Sequence, residues 1–94
     1  MKKTIVGITV VGKDSEGVVA QFTNFVFQNN ANVEKVNQNV IKGLFGMYLE
    51  VSFTSKINFK QLDSGLQILG KNLRMEVSSL SETNMEKSIA IFVS

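Results

Sequence analysis

The feature that most constrains this chain lies near its middle. Over residues 45–53, large apolar side chains (Phe45, Met47, Leu49, Val51, Phe53) alternate strictly with Gly46, Tyr48, Glu50 and Ser52. Successive side chains on a strand point to opposite faces, so this segment buries one face and leaves the other at least partly wet. It belongs in an antiparallel sheet with one covered side, and apolar elements must lie on that side.

Two segments supply the cover. From Val18 to about Asn29, Val18, Val19, Phe22, Phe25 and Val26 recur at helical spacing. The cluster Asn29-Asn30-Ala31-Asn32 then ends the helix, since Asn tolerates the left-handed conformation. Asn58 opens a second helix as N-cap with Gln61 three residues on, a capping-box pattern. Phe59, Leu62, Leu66, Leu69 and Leu73 follow as one stripe at spacings of three and four.

Three more strands complete the order. Residues 4–11 are nearly all β-branched, with Val6, Ile8 and Val10 on one face. Val33 to Ile41 is a second strand, joined through Lys42-Gly43-Leu44, where Gly supplies the positive φ of a tight hairpin. Arg74 to Leu80 is the last, Met75 and Val77 alternating with Glu76 and Ser78. The order βαββαβ predicts an α+β, ferredoxin-like sandwich: a four-stranded antiparallel sheet with two helices on one face. The expected spatial order is 3-1-2-4 or 4-1-3-2, with the most apolar strands, the first and third, at the centre. Residues 1–94 are expected to form a single domain with its core over 4–81. In the C-terminal extension, 82–94, Met85, Ile89 and Phe92 fit a helix and Ile89, Ile91 and Val93 a strand; the helix is favoured.

Composition narrows the function. The chain has no Cys and no His, which excludes disulfides, thiolate metal sites, cysteine nucleophiles and the commonest general base and zinc ligand. Its eight carboxylates are scattered and form no calcium-loop pattern. A net charge of +2, with Arg74 the single Arg, argues against nucleic acid or an acidic membrane as partner. Met1-Lys2-Lys3 and the apolar run after it outline a signal peptide, but the run is short and lacks a small-x-small cleavage site. No segment approaches the ~20 apolar residues of a membrane span. A soluble, cytoplasmic, non-catalytic protein without metal or cofactor is expected.

Function must come from a site on the fold. The segment Val10-Val11-Gly12-Lys13-Asp14-Ser15-Glu16-Gly17-Val18-Val19 joins the first strand directly to the first helix. A glycine-flanked loop feeding a helix N-terminus exposes unpaired N–H groups beside a positive dipole end. That end either binds a carboxylate or is capped from within by Asp14 or Ser15.

Together with Asn30-Ala31-Asn32-Val33 and Val36-Asn37-Gln38, this loop resembles the ACT domain family. That pattern is an apolar strand, G-x-D-x-x-G followed by two aliphatic residues, an apolar helix, and G-x-N-[IV] opening the second strand. The resemblance covers residues 4 to about 81, and is greatest to small stand-alone members and to the module at the start of formyltetrahydrofolate deformylases. It implies a regulatory homodimer that binds a small molecule, most often an amino acid, between this loop and the second strand of another copy. Carried over residue by residue, Gly12, Lys13, Asp14, Ser15, Gly17, Val18, Asn32, Val33 and Gln38 form the candidate site. Asp14 would orient the loop or accept from a ligand amine, and the N–H groups of Gly17 and Val18 would hold a carboxylate. Gly17 would let the ligand approach the backbone, while Asn32 and Gln38 add polar contacts. The chain has Glu16 where the family usually has Pro, and Asn30-Ala31 in place of the usual Gly before Asn32.

Other functions of the fold fit less well. Lys42-Gly43-Leu44-Phe45-Gly46-Met47-Tyr48 is superficially similar to an RNA-binding strand, but Phe45 falls in the buried set and only Tyr48 reaches the open face. An acylphosphatase places an Arg in the first loop, where this chain has Lys13. The alternative that remains is a ligand-free interaction module that dimerises or docks on a partner enzyme.

Overall fold

The computed structural model describes residues 3–81. Six elements follow in order: β1 (Thr4–Lys13), α1 (Val18–Gln28), β2 (Asn32–Ile41), β3 (Leu44–Phe53), α2 (Phe59–Leu73) and β4 (Met75–Ser81). The sheet is antiparallel throughout and runs β2-β3-β1-β4, the second of the two expected orders. The hairpin decides between them: Lys42 and Gly43 both adopt positive φ (51° and 81°), a two-residue turn that pairs β2 directly with β3. The alternatives weighed for residues 85–93 fall outside the described residues.

The inward rows of β1 and β3 meet both helices. Val6, Ile8, Val10, Phe45, Met47, Leu49, Val51 and Phe53 are buried with Val18, Phe22 and Val26 of α1 and Leu62 and Leu66 of α2. Close approach of the helices depends on Gly65, where an added Cβ would sit 2.6 Å from Cζ of Phe25. Asn58 Oδ1 accepts from the Gln61 N–H at 3.1 Å, so the expected side-chain cap of α2 is present.

Two boundaries differ from expectation. β1 continues to Lys13, so Gly12 and Lys13 pair with Phe45 and Leu44 and do not belong to the loop. β4 starts one residue late. Arg74 is not the first residue of β4 but the left-handed residue (φ 59°) that closes α2, and its N–H donates to the Lys71 carbonyl. Alternation cannot reveal this, because a helix and a strand joined by one residue leave no room for a recognisable turn signal. At the end of α1 the left-handed position falls to Asn30 (φ 64°), a role its side chain tolerates without glycine.

Candidate functional site

Lys13 ends β1 opposite Leu44, and four residues later α1 begins. The connecting loop is pinned: the Asp14 N–H donates to the Gly43 carbonyl at 2.8 Å, tying it to the β2–β3 turn. Gly17 then takes φ 80° and serves as N-cap. A residue with a Cβ is strained at that φ, although a Cβ placed there would meet nothing within 4 Å. Gly17 is thus required by the backbone itself, not by crowding from the rest of the chain.

The α1 N-terminus lacks the internal cap considered above. No side chain caps it among the described residues, and Gly17 has none to offer. The first helical bond runs from the Gln21 N–H to the Gly17 carbonyl at 3.0 Å, so the N–H groups of Val18, Val19 and Ala20 have no partner in the helix. These groups carry the positive end of the helix dipole.

The same three residues line an open depression of about 710 Å³ between the loop, the first turn of α1 and the outer part of β2. Asp14, Ser15, Gly17, Val18, Val19 and Ala20 form one wall; Gln38, Asn39 and Val40 form the other, with Phe45 also in the lining. Gln38 and Val40 stand opposite Met47 and Phe45, so both lie on the helix-covered side of the sheet. Asp14 is the single ionisable group in the lining.

The structure brings together five of the nine candidate residues: Asp14, Ser15, Gly17, Val18 and Gln38. The other four stand apart from the depression. Gly12 is a packing residue, since a Cβ there would lie 2.5 Å from Sδ of Met75 and 3.0 Å from the Arg74 carbonyl. Lys13 is exposed at the strand end. Asn32 and Val33 lie at the far end of β2, opposite Ser52 and Val51, and Val33 packs against the core. The lining also includes Val19, Ala20, Asn39, Val40 and Phe45. Patterning assigns Val19 and Phe45 to the core, and no sequence signal marks β2 as the neighbour of the α1 N-terminus until the sheet order is known.

A second polar cluster sits where β2 is irregular. The register slips between Val33 and Lys35, making Glu34 the extra residue of a bulge. Its carboxylate accepts from the Ser52 hydroxyl at 2.5 Å and pairs with Lys3 at 3.6 Å. The Ser52 hydrogen bond, then the Lys3 charge, hold the Glu34 carboxyl below its usual range. On the helix-free face, burial and a 3.0 Å hydrogen bond donated to Glu50 raise the Tyr48 hydroxyl above its usual value. Among the described residues, no group of three or more Asp or Glu side chains could hold a metal ion, and no helix is long and apolar enough to cross a membrane.

Residues 4–79 match the ACT domain, and the chain belongs to that family, whose members are typically regulatory, ligand-binding domains. A UPF0237 protein of the archaeon Methanococcus maripaludis is 37% identical over 73 residues, 76% of this chain and 80% of that one. A UPF0237 protein of the bacterium Bifidobacterium longum is 32% identical over 78 residues, covering 82% of this chain and 84% of its own. Among solved structures, an ACT domain protein from Streptococcus pneumoniae superposes with a TM-score of 0.78 at 29% identity, covering 83% of this chain and 89% of its own. A formyltetrahydrofolate deformylase from Pseudomonas putida shares the fold, with a TM-score of 0.74 at 15% identity; the match covers 81% of this chain and 28% of that enzyme.

Proposed function

We propose that this protein is a non-catalytic regulatory domain that binds a free amino acid in the depression beside the β1–α1 loop and acts as a homodimer. The observation that carries the reading is the uncapped α1 N-terminus opening onto a concave, mostly apolar wall with one carboxylate in it. Such a site complements a zwitterion: the Val18 and Val19 N–H groups attract a carboxylate, and Asp14 accepts from an ammonium group. Val18, Val19, Val40 and Phe45 suit an uncharged ligand side chain, and the Gln38 amide offers hydrogen bonds. Dimerisation is supported by β2, an outer strand that leaves Val36 and Val40 exposed on one face and Ile41 on the other.

Thermal unfolding against a panel of free amino acids tests the ligand. At 100 times its Kd a ligand adds about 2.7 kcal/mol, which raises Tm by roughly 10–20 °C in a domain near this size. A selective shift by one amino acid is expected, and Ala20→Glu, which sets a second carboxylate where the ligand's would sit, should remove it. Ala20 is exposed, lines the depression and lies in the first turn of α1, where the helix dipole favours a carboxylate, so basal Tm should hold. This variant isolates the site better than a Gly17 substitution, which would strain the loop itself. A flat panel from a protein that self-associates would instead support a ligand-free interaction module, the second reading, which the exposed β2 edge alone would favour.

A further inference from the structure

One side of the sheet carries no helix, and its corner at the β2–β3 turn is apolar. Ile41 stands there opposite Leu44, and Val11 of β1 is the diagonal neighbour of Leu44. All three are exposed, Ile41 at 62% and Leu44 at 55%. Gly46 lies among them, opposite Val11 on one side and Asn39 on the other. Neither the backbone nor the packing asks for a glycine at this position. Its φ is not positive, and a Cβ there would meet nothing within 4 Å among the described residues. Gly12, Gly65 and Gly70, by contrast, each admit a close neighbour from the same chain. A glycine inside a central strand weakens that strand, and marks a place where something from outside comes close.

The same corner of a second copy complements this notch in shape and in charge. Consider a two-fold axis lying in the helix-free face, between β1 and β3 and parallel to them. It sets β1 of each copy over β3 of the other and β4 over β2, because the sheet runs β2-β3-β1-β4. Val11 and Gly46 are direct partners across that axis, so Val11 of each copy stands over Gly46 of the other. A branched side chain then meets bare backbone, twice. Leu44 comes over Lys13, whose methylene stem covers it while the ammonium group stays in water. Glu76, opposite Val11 on β4, comes over Asn39 and next to the cationic turn residue Lys42 of the facing copy. Such an interface is isologous, each contact occurring twice.

We propose that this corner is a self-association surface, at which two copies pack their helix-free faces with Val11 of each seated on Gly46 of the other. Gly46 is there to let the second copy approach, which is why its own chain gives no reason for it. The pairing uses neither the depression nor the backbone edge of β2, so it does not depend on the ligand reading or on pairing through β2.

Sedimentation equilibrium of the full chain carrying Val40→Lys reads this surface with the β2 edge blocked. That variant should still form dimers. Adding Gly46→Ala should weaken them, and adding Gly46→Thr should raise their Kd roughly tenfold or more, because the notch is filled. Both changes should leave Tm of the dilute protein unchanged or higher, since a side chain in open space replaces a strand glycine. A merely structural role for Gly46 would lower Tm and leave association alone. Asn24→Ala, on the exposed side of α1, should change neither. A Val40→Lys chain that stays monomeric, or whose dimers tolerate Gly46→Thr, would overturn the proposal. Failure of the β2 reading shows differently, as equal association of the parent and Val40→Lys chains.

Discussion

β4 and β2 are both outer strands, yet only β4 is backed by a helix along its length. The Gln67 side-chain amide donates to the Val77 carbonyl at 2.7 Å, and Ser79 donates to the Asp63 carboxylate at 2.6 Å. Gly70 lets α2 come so close that a Cβ there would collide with Val77. β2 has no comparable partner. α1 touches it sparsely, all but one of its ten residues are exposed, and its outer edge carries Val36, Val40 and Ile41 into solvent. The difference teaches where the molecule is finished and where it is not. A strand whose polar groups and side chains are met by its own helix closes the sheet, whereas a long uncovered one is a template for another strand. The candidate site lies beside the uncovered strand.

The contrast breaks most visibly at Val40. Val40→Lys places a charge on the exposed β2 edge, and with a second copy paired there it should weaken self-association by about 2 kcal/mol or more, roughly thirtyfold in Kd. Sedimentation equilibrium reads this directly. The stability of the isolated chain should stay within about 0.5 kcal/mol, as for other surface changes. Unchanged association would show that β2 is not the interface.

On the closed side, Gln67→Ala should cost about 1 kcal/mol, the usual worth of one hydrogen bond. In thermal unfolding this is a fall of roughly 4–8 °C. A change indistinguishable from zero would mean that apolar packing of α2 alone holds β4.

The smallest effect belongs to the bulge that shapes β2. The Glu34 carboxyl is depressed in the folded state by Ser52 and Lys3, so the unfolded chain takes up its proton first as acid is added. The stabilisation is fully present above the ordinary value of 4.5 and is lost as pH falls through the lower folded value. Tm should therefore drop slightly more steeply below pH 4.5 in the parent than in Ser52→Ala, where the main cause of the depression is gone. Parallel curves would assign the bulge no electrostatic role.

Much of this was legible in the residues. The alternation of Phe45 to Phe53 placed β3 at the centre of a one-sided sheet, and the leucine stripe of α2 marked its buried face. Asp14, Ser15, Gly17 and Val18 could be placed together because they are adjacent in sequence and sit at a strand-to-helix junction. What could not be read depends on neighbours distant along the chain. The Asn37-Gln38-Asn39 run looks the same whichever residue turns toward α1; only pairing with Met47 directs Gln38 to the helix side. Asn32 and Val33 follow the family motif, yet ten residues of extended strand carry them to the end away from the loop. Gly17 was legible as a glycine the loop needs, but its reason, a left-handed φ, belongs to the backbone.

The hydrogen bond from the Asp14 amide to the Gly43 carbonyl has a consequence for time as well as shape. It closes a ring between two turns that are far apart in sequence, so the loop cannot lift without releasing this one proton to solvent. The exchange rate of that amide is a built-in clock for opening of the site. Slowed exchange on addition of a small molecule would report occupancy of the depression at a single residue.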